Sequence, residues 1–369
     1  MAFFGFANLY QRFEKYISAI GLIYGFIFTS LTLTRIDAFW ENFWIILHLI
    51  IAVLGIVALT FLEKRRHLKI ENSAENKRQN ISLHFYLILI VQFAFGGLFS
   101  TFFVFYMRSS SFYESWFFLF ILLVLLIGNE IWKKYYERLV FQISVLFIAV
   151  YLFLIFLLPT LFHRLGSDLF VLSGLSSLII ITAFLALLRK ISSITFKNDH
   201  NLIGVSVISI FILMNVLYFT NIIPPIPISI KMAGVFHSLE KDSAGNYLVG
   251  QEPEIWSDYF NRFPVFHRQI AENIYVFSAV FSPVNFSANI IHQWQFYDEQ
   301  KKTWIDSNRF VLPIIGGRAD GFRTYSAKPA VPNGLWRVKV MTENNQAIGY
   351  ISFEVQNTKE SITLLKKTI

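Results

Sequence analysis

Asn221-Ile222-Ile223-Pro224-Pro225-Ile226-Pro227-Ile228 divides this sequence in two. Each proline lacks a backbone donor, clashes with the preceding helical turn and pushes the residue before it to extended geometry, so a helix entering this stretch must end there. Upstream lie long apolar runs; downstream the pattern changes to short alternating segments separated by turn residues. The expected fold is a polytopic α-helical membrane bundle of about seven spans followed by an all-β extracytoplasmic domain, an antiparallel β-sandwich of immunoglobulin-like type. The expected units are residues 1–223, a proline-rich junction at 224–229, the sandwich at 230–357 and a tail at 358–369.

Composition supports the membrane half. Of 369 residues, 55% are hydrophobic, 15% are charged and 41 are Phe, where a soluble domain carries about 25% charged residues. The net charge of +8 sits mostly between apolar runs and follows no basic, aromatic-interleaved patch, which argues against a nucleic-acid partner. With no cysteine, disulfides, thiolate metal sites and cysteine nucleophiles are excluded.

A hydrocarbon core about 30 Å thick needs about 20 apolar helical residues. Runs near that length fall at 17–34, 42–62, 83–106, 113–132, 139–160, 169–188 and 202–223. Residues 1–16, with Phe3, Phe6, Tyr10 and Phe13 among Arg12 and Lys15, suit an interfacial helix. Segments on one side of these runs hold 14 Lys and Arg, including Lys64, Arg65, Lys133 and Arg189; those on the other hold only Arg35, Arg108 and Arg164. The positive-inside rule then puts the N-terminus in the cytoplasm and, after seven crossings, the β domain outside a bacterial inner membrane.

Polar residues within the runs are few. His48 and Asn215 lie deepest and are the candidate intramembrane polar groups, with interhelical hydrogen bonding the simpler role than transport. Gly21 and Gly25, and Ser173, Gly174, Ser176 and Ser177, are small residues that let helices approach closely. No paired broken helices mark a transporter, and no metalloprotease, nucleophile-elbow or phosphate-loop motif marks an enzyme. No catalytic residue, metal ligand or cofactor is expected.

Downstream, strands are expected over Ile230–Leu239, Tyr247–Gln251, Ile274–Phe281, Asn289–Tyr297, Arg309–Ile315, Gly321–Ala327, Leu335–Thr342 and Ala347–Gln356, with 252–272 helical or irregular. Trp336, Val338 and Val340 alternate with Arg337 and Lys339, and Ile351, Phe353 and Val355 alternate with Tyr350, Ser352 and Glu354, the pattern of a half-buried hairpin. His292 alternates with Ile290, Trp294 and Phe296 and belongs on the core side. Arg323 and Tyr325 share the face opposite Phe322 and Thr324. Together with Arg318 and Arg337 they form the candidate ligand-binding surface, suited to a carboxylate, phosphate or glycan. The alternative is structural, an Arg paired across the sheet and a Tyr closing a corner.

The run Gly321-Phe322-Arg323-Thr324-Tyr325-Ser326-x-Lys328, then Gly334-x-Trp336-Arg337-Val338-x-Val340-x-Thr342, then Ile348-Gly349-x-x-x-Phe353-x-Val355, preceded by His292-x-Trp294 and Asp298, resembles the bacterial family of unknown function DUF2914. The resemblance covers residues 288–356 and implies a C-terminal module on a membrane protein, with no activity to carry over. The expected function is that of a non-catalytic envelope protein whose partners are the lipid bilayer and an envelope glycan, ligand or protein. The alternative is a transporter or lipid-handling protein with the sandwich as an accessory.

Overall fold

The structure is a computed structural model that describes residues 24, 26–32, 39–67, 74–109, 112–163, 166–224, 228–243, 246–253, 261–269, 272–282, 287–315, 318–329 and 331–369. The expected interfacial helix at 1–16, most of the first expected span, and Trp256, Tyr259 and Phe260 lie outside them. Two compact units meet in the chain between Ile223 and Pro224.

The first unit is helical. After α1 (26–32) come α2 (Phe39–His67), α3 (Ala74–Ser109), α4 (Phe112–Ile131), a 3-10 turn at Lys133–Glu137, α5 (Leu139–Phe162), α6 (Ser167–Ile191) and α7 (Ser193–Phe219). Among the described residues, five stretches are long and apolar enough to cross a membrane: Phe39–Arg65, Leu83–Met107, Leu139–Phe162, Ser167–Ile191 and Asp199–Phe219. The apolar part described in α4, Ser115–Asn129, is shorter. On α7, Leu202, Val205, Ile208, Ile212, Val216 and Phe219 are all exposed. Their spacing of three and four residues makes one continuous apolar stripe, a surface suited to lipid rather than water.

The end of α7 refines the reading of the proline stretch. Asn221 has φ +60°, its N–H donates to Tyr218 O and that of Ile222 to Leu217 O, both at 2.9 Å. This is a Schellman cap with asparagine in the left-handed position. The helix therefore stops at Phe219, before any proline, and Pro224 only bars its return.

Among the described residues the second unit holds eleven strands: β1 (Ser229–Phe236), β2 (Ser238–Lys241), β3 (Tyr247–Gln251), β4 (Val265–Gln269), β5 (Ile274–Ser282), β6 (Ser287–Asp298), β7 (Thr303–Ile315), β8 (Arg318–Lys328), β9 (Gly334–Thr342), β10 (Ala347–Thr358) and β11 (Leu365–Thr368). They form sheets in the orders β1-β5-β8, β4-β10-β9-β6-β7 and β11-β3-β2. Among the described residues every pairing is antiparallel except β4 with β10. One hydrophobic cluster joins the first two sheets, with Val276 and Val280 of β5 meeting Trp294 of β6, Trp336 and Val338 of β9 and Phe353 of β10. A smaller cluster joins the third sheet to the first through Tyr247, Val249, Phe236, Phe277 and Ala279.

All eight expected strand segments are strands. The expected Ile230–Leu239 is broken at His237, β4 forms where 252–272 was expected to be helical or irregular, and β11 forms in the expected tail. These elements attach to edges already built, β4 on the end of β10 and β11 on β3. Such short additions have a tertiary rather than a local cause.

Candidate functional site

Deep in the β unit the motif residues converge on a polar network. His292 is fully buried; its Nε2 lies 2.8 Å from Ser278 Oγ and its Nδ1 2.9 Å from Ser326 Oγ. Trp294 Nε1 donates to the same Ser326 Oγ at 2.9 Å, and Ser278 Oγ lies 3.0 Å from Thr324 Oγ1, which donates to Ser278 O at 3.2 Å. Only one arrangement gives each of these protons an acceptor: Ser326 donates to Nδ1, Nε2–H donates to Ser278, and Ser278 donates to Thr324. The imidazole is therefore neutral, and burial pushes its pKa down to about 4. With every polar atom spent on another, this cluster holds β5, β6 and β8 in register and leaves nothing for a substrate.

The outward face of the five-stranded sheet is different. Cross-strand pairing lays out two rows, Arg309, Gln293, Lys339 and Tyr350, then Asp306, Gln295, Arg337 and Ser352, with Trp304 opposite Tyr297 beyond them. The Arg337 guanidinium lies 4.2 Å from the Trp304 ring centre and 4.9 Å from that of Tyr350. Its Nε donates to Gln295 Oε1 at 2.6 Å, and Gln295 Nε2 donates to Asp306 Oδ1 at 2.6 Å. Lys339 Nζ stands 5.9 Å from the Tyr350 ring. Three cations thus share one face, and stacking holds Arg337 in a single orientation.

At the edge of that sheet, β7 carries one extra residue between the pairs Gln295↔Asp306 and Gln293↔Arg309, a β-bulge. Lys328 reaches it, donating to Ser307 Oγ at 3.0 Å and to Asn308 Oδ1, and standing 5.5 Å from the Trp336 ring. Burial lowers its pKa. A shallow depression of about 320 Å³ between Lys328, Asp306, Phe296 and Trp336 opens beside it.

The four residues of the expected surface are not one site. Arg323 and Tyr325 do share a face, but it is the face of the first sheet turned away from the second and partly covered by the third, since their neighbours Thr324 and Ser326 bond Ser278 and His292 and their cross-strand partners Ala279 and Phe277 pack against the third sheet. Arg323 donates to Asn246 Oδ1 at 3.2 Å, and the Tyr325 ring lies 6.1 Å from Tyr247 and 6.3 Å from Tyr275. Arg337 faces outward from the other sheet. Arg318 begins β8 opposite Ser282, and its side chain lies outside the described residues. Asp298 receives the N–H groups of Gln300 and Lys301 at 2.9 and 3.0 Å, which makes it a turn residue.

Among the helices, His48 Nδ1 donates to Trp44 O at 2.8 Å. Its ring fills the space over Gly97, where a Cβ would fall 2.5 Å from Nε2. Asn215 Nδ2 donates to Phe211 O at 2.8 Å and to Tyr151 Oη at 3.3 Å. A more extensive helix contact was not anticipated: Gln92 and Asn129 exchange side-chain to backbone hydrogen bonds at 3.0 Å, Tyr136 donates to Asn129, and Gln142 Nε2 donates to Tyr136 O at 2.5 Å. Asn129 sits near the end of an apolar run, so its position alone gave no sign of a partner. Also unanticipated are contacts of His237 with Glu252 and Glu272, and of His267 with Glu252. Among the described residues no group of three or more His, Cys, Asp or Glu is arranged to hold a metal ion.

Comparison with known proteins agrees on the motif region. Residues 287–355 match the family DUF2914, described as a protein of unknown function. No curated protein matches the chain. Among solved structures, an immunoglobulin-like protein from Pseudomonas aeruginosa aligns with 35% of this chain and 92% of its own at 14% identity and a TM-score of 0.19. A β-glucosidase from Listeria innocua in complex with gluconolactone aligns with 34% of this chain and 16% of its own at 11% identity and a TM-score of 0.20. An alkylpurine DNA glycosylase from Pseudomonas fluorescens aligns with 86% and 99% at 11% identity and a TM-score of 0.23. Scores this low assign neither fold nor activity.

Proposed function

We propose that this chain is a non-catalytic envelope protein: a seven-span anchor in a bacterial inner membrane, N-terminus in the cytoplasm, that exports an immunoglobulin-like β-sandwich to bind an envelope glycan or an anionic partner. The observation that carries the reading is the Arg337 guanidinium held between Trp304 and Tyr350 beside Lys339 on an outward face. A cation oriented before the ligand arrives loses little entropy on binding. The 14-to-3 distribution of Lys and Arg around the apolar runs supports the orientation. Against the transport alternative, the His48 and Asn215 side chains are engaged with helix backbone and Tyr151.

The test is a thermal-shift screen of the purified chain against neutral and acidic glycans, since a ligand specific for the folded state raises its melting temperature by mass action. A shift lost in Arg337→Gln and Trp304→Ala but kept in Arg323→Gln supports this face. A shift lost only in Arg323→Gln moves the site to the other sheet. No shift with any glycan removes the glycan reading. A cytoplasm-dependent reporter fused after Ile369 should be silent, and its activity would overturn the orientation.

A further inference from the structure

Two carboxylates enclose a histidine at the end of the smallest sheet. His237 occupies the corner between β1 and β2, with its side chain only 1% exposed. Nδ1 lies 2.7 Å from Glu272 Oε1 and Nε2 3.2 Å from Glu252 Oε1. Ionised carboxylates only accept, so both contacts are hydrogen bonds only while both ring nitrogens carry protons. The ring also stacks on Phe266, with centres 4.1 Å apart. The titratable and charged groups facing this imidazole come from three elements: Glu252 just after β3, Glu272 in the β4–β5 turn, and His267 and Arg268 on β4. Glu252 Oε2 lies 2.7 Å from His267 Nδ1, while Glu252 Oε1 accepts His267 N–H at 2.8 Å. Glu272 Oε2 accepts Gln269 N–H at 3.0 Å, and Arg268 Nε donates to Glu272 O at 2.9 Å.

What this cluster joins matters more than what it contains. His237 and Glu252 flank the β2–β3 hairpin, and His237 N–H also donates to Gly250 O at 2.9 Å. His267 lies on β4 of the five-stranded sheet, and Glu272 lies between β4 and β5 of the two larger sheets. The cluster thus ties the sheet β11-β3-β2 to the rest of the unit. That sheet has strands of only four and five residues, so its own ladder contributes little resistance to opening. Its Tyr247 and Val249 pack on Phe236 and Phe277 beneath, and its turn residue Asn246 holds Arg323.

We propose that His237 is a proton-operated latch: protonated, it clamps the sheet β11-β3-β2 onto the β unit, and on losing its proton it lets that sheet open and free the surface around Arg323 and Tyr325. Without one N–H, a ring lone pair faces a carboxylate oxygen and the contact turns repulsive. Burial works against the charge, but the hydrogen bonds to Glu252 and Glu272 outweigh it and raise the pKa above the ordinary histidine value. For Glu252 burial likewise opposes the charge, and the hydrogen bonds from His237 and His267 outweigh it and hold the pKa below the ordinary carboxylate value. A raised histidine pKa stabilises the closed state fully below the unfolded value of about 6.5, and that contribution is lost as pH rises through the folded value.

Hydrogen exchange of the full chain in lipid nanodiscs, corrected for the intrinsic pH dependence of exchange, reads this out. Protection of β2 and β3 should fall relative to β9 and β10 by up to about tenfold per pH unit between those two pKa values. In His237→Gln it should be low and independent of pH. In Glu272→Gln the midpoint should move to lower pH, a readout that needs the histidine intact and so guards against a folding defect in the first variant. Equal pH dependence of β2–β3 and β9–β10 in the unaltered chain overturns the latch. So does a pH dependence that survives in His237→Gln, or a midpoint unmoved in Glu272→Gln.

Discussion

Two regions of the β unit bury a histidine almost completely and favour different protonation states, neutral at one and cationic at the other. Around His292 the partners are the hydroxyls of Ser278 and Ser326, groups that donate or accept as required, so the ring stays neutral. Around His237 the partners are carboxylates, which only accept, so both contacts are hydrogen bonds only when the ring is doubly protonated. Burial disfavours charge at both sites. Fixed opposite charges overcome it at one, and neutral dipoles do not at the other. Apart from Ser278, the first region lies inside the segment matching DUF2914 and fastens two sheets through their core, whereas the second lies outside it and fastens a small sheet at its rim.

This contrast can be broken in order of size. Trp336→Ala, in the core shared by the two large sheets, should destabilise the β unit by about 3 to 5 kcal/mol in chemical denaturation, and an unchanged curve would place that side chain outside the core. Acid should act through His292: because its folded pKa lies below the unfolded value, the unfolded state binds more protons and stability falls as pH drops from about 6.5 to about 4, by about 3 kcal/mol in all. That loss should be absent in His292→Gln, and its persistence would assign acid sensitivity to another group. Ser326→Ala removes the acceptor of Trp294 and the donor to His292, at a cost of about 1 to 3 kcal/mol; a neutral effect would mean the network is dispensable. Arg337→Gln, on the outward face, should change stability by less than about 1 kcal/mol while abolishing any ligand-dependent thermal shift. A large stability loss there would make Arg337 a structural residue and remove the carrying observation for binding.

Alternation alone exposed much of the β unit. Trp336, Val338 and Val340 had to face one way and Arg337 and Lys339 the other, because successive strand residues point to opposite faces. His292 was legible as a core residue for the same reason. Pairing between strands was not legible. Arg323, Tyr325 and Arg337 all read as outward residues close together in the chain, yet β8 and β9 enter different sheets, and the surface expected from them divides in two. His237 and His267 show no ligand spacing, and Glu252 brings them together only because β4 returns beside the end of β10.

The helices show the same division of labour. Apolar runs of about 20 residues state by composition alone that a segment suits a bilayer, and five such helices stand among the described residues. Which polar residue meets which is decided by helix packing, as in the exchange between Gln92 and Asn129. The sequence by itself determined what depends on neighbours along the chain: apolar length, the strand period, the turn residues, and the break between Asn221 and Ile228. Tertiary structure alone decided what depends on neighbours across space: the stacking of Arg337 between Trp304 and Tyr350, the hydroxyls around one histidine and the carboxylates around the other. Side-chain charge and hydrogen bonding act over a few ångströms, and only the folded chain sets which groups stand that close.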